Sequence, residues 1–506
     1  MTAHSLRLFV ALAGLFSNAV GRAEAAAAVQ DSVSPGPERP AVALFTPLAA
    51  DLRLARPDRG AARPEVIRSR YVLLNLGLVD AAALRAARKA AARGEAVPRF
   101  QLDLFDGVSL LATMETFADS ADGSTVSWAG RIEGRPFSSA AVAVTGDVAS
   151  GNFKTGDGGS YQLRFVSPGV FAIREIDESR FPPEGQPIPV ARPPADATPR
   201  SDTPLALADD GSTIDVLVVY TPAAQTAVGG QAQIENLIEL AITETNQGYA
   251  NSGVVQRVRL ARKEQISYVE RSTGTAAFSN ALDDLAGTAD AYLTGVHALR
   301  NTYAADFVSL WIQEPGLCGL AYLMAVESPA FEDGAFSVVA QACAAANYSF
   351  AHEMGHNQGS HHDRANAGTC GGVTCPGVKD YSYGYGKSAP GAFRSVMAYA
   401  GACNNCARLN YWSNPTVNFS GSPMGIASPA INSADNRQSL NDTRVTVSNF
   451  RASNVVTVPG APVMGKAIAG NLHAMVEFGP PSSLSLIHIS EPTRLRRISY
   501  AVFCLK

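Results

Sequence analysis

The sequence predicts an α/β (α+β) fold with a mixed sheet and a histidine-bearing metal helix, preceded by a mostly β domain. Three observations carry this expectation. Residues 213–451 alternate apolar strand-like runs with amphipathic helical ones, the pattern of helices packed on a mixed sheet. Residues 66–177 are short alternating or apolar runs separated by turn residues, with one helical stretch. Between them, residues 182–212 hold eight prolines, too many for a helix or a central strand.

Composition narrows function mainly by exclusion. The chain has 506 residues, 46% hydrophobic and 17% charged, with a formal charge of −4. That is ordinary for a globular protein and gives no reason to expect nucleic acid as a partner. No lysine- or arginine-rich run suggests an anionic membrane surface.

The elements follow in order. Residues 1–25 read as a secretory signal peptide: Arg7, then the nine-residue apolar run from Leu8 to Phe16, then small residues. Ala23-Glu24-Ala25 and Ser17-Asn18-Ala19 are two candidate cleavage sites. The run is too short to span a bilayer, and no later run reaches that length, so no membrane span is expected. Residues 26–64, rich in Ala, Pro and Arg, read as poorly ordered. VIRSRYVLL from Val66 reads as a strand, and Asp80 caps the helical AAALRAARKAAARGE, which Gly94 can close. PRFQLDLFDG, TVSWAGRIEG, SAAVAVTGDVASGNF and SYQLRFVSPGVFAIREID then read as strands and turns. The proline-rich stretch 182–212 is expected to be an extended, exposed linker open to proteolysis, with Arg192 and Arg200 as candidate cut sites.

The second domain starts at Thr213. IDVLVVYTP reads as a buried strand. QAQIENLIELAITETNQGYANSG reads as a helix with Ile234, Leu237, Ile238, Ala241, Ile242 and Thr245 on one face. VQRVRLARKEQISYVE supplies one or two strands, DAYLTGVHALRNTYAA a helix, and DFVSLWI, CGLAYLM and AFSVVAQA strands. AANYSFAHEMGHNQG is a helix, and SADNRQSLNDTRVTVSNFRAS the last one of the domain. All seven cysteines lie at or after Cys318. Six of them, Cys318, Cys343, Cys370, Cys375, Cys403 and Cys406, suggest up to three disulfides in an exported domain, with the pairing open.

The chemistry concentrates in AHEMGHNQGSHHDR, residues 351–364, which holds four of the chain's eight histidines. His352 and His356 are four apart, so on a helix they share one face and can reach one metal. Glu353 sits one step round the helix, beside a metal-bound water rather than on the metal. Gly359 can end the helix with a left-handed residue, and the returning chain can offer a third ligand. His362 takes that position and His361 is the bystander, its side chain on the opposite face of an extended segment and lining the cleft. Three neutral nitrogens with an open fourth position describe a catalytic Zn2+ site, in which the ion acidifies a water and Glu353 acts as general base for peptide hydrolysis.

The full spacing His352-Glu353-x-x-His356-x-x-Gly359-x-x-His362-Asp363, with SVMAY (residues 395–399) after it, resembles the metzincin clan of zinc endopeptidases. The resemblance implies that Met397 underlies the histidines and that Asp363 marks the reprolysin branch. Tyr399 resembles the astacin arrangement, in which a tyrosine at that spacing binds zinc or stabilises the oxyanion. IDVLVVYTP, TETNQGYANSGV, YSYGYG, SVMAY and NYWSNP extend the resemblance to bacterial peptidyl-Asp metalloendopeptidases over residues 213–451. It implies protein or peptide substrates cleaved before aspartate, a metzincin-like catalytic domain at 213–451, and a β-rich propeptide at 26–212. An acid-selective pocket needs a cation, for which Arg394 and Arg408 are nearby candidates. No cysteine precedes Cys318, so a thiolate cannot silence the zymogen. A carboxylate such as Asp202, Asp209 or Asp210, or simple blocking, is expected instead. The alternative is a secreted or surface binding protein with an inert zinc site.

Residues 452–483 read as a linker and the truncated start of a fibronectin type III-like module, which suggests polymer or surface attachment through further C-terminal modules. Residues 484–506, LSLIHISEPTRLRRISYAVFCLK, resemble the conceptual translation of a sequencing adapter, which would remove His488 and Cys504 from consideration.

Overall fold

The computed structural model describes residues 41–48, 58–190, 209–288 and 292–453, and the backbone of an antiparallel hairpin, Val463–Gly470 with His473–Gly479. The expected signal peptide, residues 191–208 with Arg192, Arg200 and Asp202, and the adapter-like tail lie outside the described residues. Among the described residues no helix is long and apolar enough to cross a membrane.

The N-terminal region is one ten-stranded sheet. Its strands are β1 (Val42–Ala43), β2 (Phe45–Pro47), β3 (Val66–Leu74), β4 (Arg99–Phe105), β5 (Val108–Asp119), β6 (Val126–Ile132), β7 (Ser139–Thr145), β8 (Val148–Lys154), β9 (Ser160–Ser167) and β10 (Val170–Ile176). The order is β1-β4-β5-β6-β7-β8-β9-β10-β3-β2. Its two edges, β1 and β2, flank the single residue Leu44, whose N–H donates to Gln101 and whose C=O accepts from Asn75, both at 3.0 Å. The sheet therefore curls until its edges meet, and no long edge is left unpaired. Phe100, Trp128, Phe153 and Phe171 fill the interior. Helix α1 (Ala81–Ala92) packs beside β5 and β6, with Asp80 accepting from the Ala83 N–H at 2.8 Å. Within the stretch 26–64, residues 42–47 are thus strand rather than poorly ordered, because they close the sheet.

The C-terminal region is α/β. It contains β11 (Ile188–Pro189), β12 (Thr213–Tyr220), α2 (Pro222–Val228), α3 (Gln231–Ser252), β13 (Arg257–Gln265), α4 (Thr275–Ala286), α5 (Thr294–Thr302), β14 (Phe307–Ile312), β15 (Gly319–Leu323), β16 (Phe336–Ala340), α6 (Ser349–Asn357) and α7 (Asn436–Val447). The sheet order is β11-β15-β16-β14-β12-β13; β12, β13, β14 and β16 run parallel, and β15 is antiparallel to β16. Helix α6 crosses β14, β15 and β16.

Helix α3 lies between the two regions. Its predicted apolar face is buried, but so are Asn236, Glu239, Glu244 and Gln247. These polar residues meet the N-terminal sheet. Asn236 Nδ2 donates to Thr145 Oγ1 at 3.0 Å, Asn152 Nδ2 to Glu244 Oε1 at 2.8 Å, and Gln247 Nε2 to the Gly130 carbonyl at 2.7 Å. A face that reads as solvent-facing is instead a polar interface, although Glu239 pairs with Lys263 of β13 at 2.7 Å rather than across it, and Asn236 Oδ1 and Glu244 Oε2 find no partner among the described residues.

The stretch 182–190 is in part exposed, as expected, at Ile188 and Pro189 among others, but it is paired rather than free. It is extended, as its prolines require, but β11 lies on the free edge of β15, with Ile188 beside Tyr322 and Pro189 beside Leu323, in parallel. Proline is tolerated at such a sheet edge.

Candidate metal centre and active site

Helix α6 carries SFAHEMGHN, and all nine of its residues are buried. Gly359, at φ 89°, turns the chain back after it. A side chain there would collide with Val378 at 2.5 Å, so glycine is required by conformation and by space.

The turn brings His362 against the helix pair. His362 Nε2 lies 3.1 Å from both His352 Nε2 and His356 Nε2, and the three residues form a potential metal-binding group. His352 Nδ1 faces the Val396 carbonyl at 2.9 Å and His356 Nδ1 the Ser360 carbonyl at 2.8 Å. A carbonyl only accepts, so each Nδ1 carries the proton and each Nε2 presents a lone pair inward. Burial holds all three imidazoles below their ordinary pKa, His356 at about 3, so they are neutral. Three converging neutral nitrogens fit a zinc ion with a further position open.

His361 stands apart. Its Nδ1 accepts the His362 N–H at 2.8 Å and its ring stacks on Tyr383 at 6.1 Å. It is buried, with its ring 5.5 Å from that of His362 and 6.1 Å from that of His356.

Met397 is fully buried under the helix: a Cβ added at Gly355 would meet its Sδ at 2.8 Å. The preceding residue, Val396, supplies the carbonyl that orients His352, so the methionine turn both supports and aims the centre. Asp363 accepts from Asn366 Nδ2 at 2.9 Å and from the Tyr399 N–H at 3.0 Å, tying the third histidine to this turn.

Glu353 is fully buried, and neither carboxylate oxygen has a hydrogen-bond partner among the described residues. Its side chain lies against Gly319 of β15, where a Cβ would come within 2.4 Å of Oε1. Burial and then the negative charge of Glu184 push its pKa well up, against the pull of Arg408. The ring of Tyr399 packs 4.3 Å from that of His362, and its hydroxyl donates to the Glu184 carbonyl at 2.7 Å.

Glu184 is the residue the sequence reading missed. Its carboxylate accepts from Arg408 Nη1 at 2.7 Å, Ser349 Oγ at 2.8 Å and Asn347 Nδ2 at 3.2 Å. Of the two candidate cations, Arg394 instead donates to the carbonyls of Cys406 and Ala398. Asp209 and Asp210, expected as inhibitory carboxylates, are engaged elsewhere: Asp209 accepts the Ser453 N–H at 3.0 Å and Asp210 the Ser212 N–H at 2.8 Å. The only hint of Glu184 was an acidic residue next to glycine inside a proline-rich, extended stretch.

Disulfides join Cys318 to Cys343, Cys370 to Cys375 and Cys403 to Cys406.

Residues 210–413 match the family model for metallo-peptidase family M12. A peptidyl-Asp metalloendopeptidase of Xanthomonas campestris pv. campestris is 36% identical over 360 residues, covering 68% of this chain and 80% of that protein. One of Stenotrophomonas maltophilia strain R551-3 is 39% identical over 322 residues, covering 60% of this chain and 70% of that protein. Among solved structures, metalloproteinase-II from Bacteroides fragilis aligns with 54% of this chain and 85% of its own, at 10% identity and a TM-score of 0.35.

Proposed function

Because the chain belongs to the reprolysin-like metallopeptidases of family M12, beside the bacterial peptidyl-Asp metalloendopeptidases, we propose that it cleaves proteins on the N-terminal side of aspartate, with Glu353 as general base. It is a zinc metalloendopeptidase, and His352, His356 and His362 are the residues that would hold the ion. Bound there, zinc supplies Lewis acidity and an acidified water.

The observation that carries the reading is the unpartnered Glu353 carboxylate beside three converging neutral imidazoles. An inert zinc site has no need of such a group, and burying it costs stability. Glu353 takes a proton from the attacking water and hands it to the leaving amine. Tyr399 has a hydroxyl that already donates to a peptide carbonyl, that of Glu184. The same donor suits the oxyanion that develops when a substrate carbonyl is attacked.

Residues 1–25 direct export, in keeping with the signal-like pattern and the three disulfides. Residues 26–212 are a propeptide that keeps the enzyme silent by covering the cleft, since the stretch 182–190 lies along β15. The test is casein hydrolysis by the zinc-loaded chain, after limited proteolysis within residues 182–212 has made it active, beside a Glu353→Gln variant of equal zinc content treated the same way. Equal cleavage by both removes Glu353 from the chemistry. Mapping the cuts on a denatured protein checks the specificity, and cuts without aspartate on their C-terminal side refute it.

A further inference from the structure

The segment that lies along β15 does more than cover the cleft: it places one acidic side chain in a socket made for it. Cys318 N donates to the Pro183 carbonyl and Gly185 N to the Gly319 carbonyl, both at 2.8 Å. These backbone bonds pin Glu184 from either side. Its side chain then reaches Arg408, Ser349 and Asn347, and the side chains of the Glu184–Arg408 pair are 1% and 2% exposed.

Every donor in that socket belongs to the C-terminal region. Ser349 is the first residue of α6, so the carboxylate also meets the positive end of the catalytic helix. Arg408 forms no other side-chain ion pair among the described residues; it is braced by the Asn347 carbonyl, which accepts from its Nη1 at 2.7 Å. Its Nε is buried without a partner, as is Glu184 Oε2. A five-carbon glutamate held by its own backbone thus leaves one donor and one acceptor unmatched. The socket adjoins the chemistry, because Glu184 and Arg408 both act electrostatically on Glu353.

A buried guanidinium with two fixed neutral donors is costly unless a carboxylate comes to it. Among the described residues of the C-terminal region, none forms an ion pair with Arg408. We infer that Arg408, Ser349 and Asn347 form the pocket that receives the acidic side chain of the substrate beside the scissile bond, and that Glu184 is a built-in competitor occupying it. This rests on the peptidase reading above and assigns its specificity to named residues. Arg408 selects the acid by charge and geometry. The pocket is shut until the segment bearing Glu184 leaves.

The test uses the full-length zinc-loaded chain and two peptides differing only by Asp against Asn at the position following the cut. Glu184→Gln should raise kcat/KM on the Asp peptide at least tenfold over the parent chain. In that background the Asp-over-Asn ratio should exceed a hundredfold. Adding Arg408→Gln should reduce the ratio below about threefold, and adding Ser349→Ala, a milder change, should reduce it about tenfold. An Asp-over-Asn ratio unchanged by both additions overturns the pocket, and a Glu184→Gln chain no more active than its parent overturns the competitor. If no variant cleaves either peptide although its zinc content is full and limited proteolysis within residues 182–212 has released the segment, the peptidase reading itself fails and takes the pocket with it.

Discussion

The Asp363 carboxylate accepts the backbone N–H of Tyr399 at 3.0 Å, so the residue after the third histidine is bonded to the residue two after Met397. The same carboxylate holds Asn366 Nδ2 at 2.9 and 3.0 Å. One side chain therefore locks the returning loop to the methionine turn that aims His352. Asp363→Ala strands the Tyr399 N–H and frees the loop. The expected cost is roughly 1–3 kcal/mol of stability, with zinc affinity weakened about tenfold or more. Asp363→Asn keeps one acceptor and should recover much of both. Chelator competition and thermal unfolding with and without zinc measure the two effects.

His361 and His362 are neighbours with opposite fates. His362 Nε2 lies 3.1 Å from two other imidazole nitrogens, while His361 packs on Tyr383. His362→Ala should abolish stoichiometric zinc binding. His361→Ala should keep the zinc and lose modest stability through the space it leaves beside Tyr383. Metal analysis of the two purified variants decides it, and retention of zinc by both would remove His362 from the centre.

The centre was legible because local spacing encodes it: the helical four-residue step, the left-handed Gly359 and the position of His362 are all written within eleven residues. Helix α4 was legible and passed over, since Phe278, Ala281, Leu282 and Leu285 follow the helical period and are buried. What depends on distant partners was not legible. The polar face of α3 looks solvent-facing until the N-terminal sheet covers it. Strand β5 has a mixed pattern because only its first half packs inward. Glu184 gains its meaning from Arg408, 224 residues away.

The Cys318–Cys343 bond should matter most among the three disulfides. It closes a separation of 25 residues, against 3 for Cys403–Cys406. Loop-closure entropy predicts roughly 3.5 kcal/mol for the first and about 1.6 kcal/mol for the second. Cys318 also donates its N–H to the Pro183 carbonyl, so the bond braces the edge strand along which residues 182–190 lie. The double serine variant at 318 and 343 should unfold at lower denaturant than the one at 403 and 406. Equal midpoints would contradict the ranking.

The contact between α3 and the N-terminal sheet should weaken as pH rises. Glu244 is buried there, accepting from Asn152 Nδ2 at 2.8 Å with its second oxygen unpartnered. Burial pushes its pKa from 4.5 up to about 7, against the hydrogen bond from Asn152 and the pull of Lys154 and Arg164. A carboxyl whose pKa is raised on folding binds its proton more tightly in the folded state. Its contribution is therefore complete below pH 4.5 and is lost as pH climbs through 7. The loss is on the order of 3 kcal/mol across that window. Glu244→Gln keeps an acceptor for Asn152 and cannot ionise, so it should remove this part of the pH slope and leave the protein more stable than its parent at pH above 7. Urea unfolding of both proteins between about pH 4 and pH 8 measures the slopes directly. Parallel slopes would mean that Glu244 does not titrate in this window. A parent slope that is steeper and falling, with the variant flat, makes this carboxyl the pH-sensitive point of contact between the N-terminal sheet and α3.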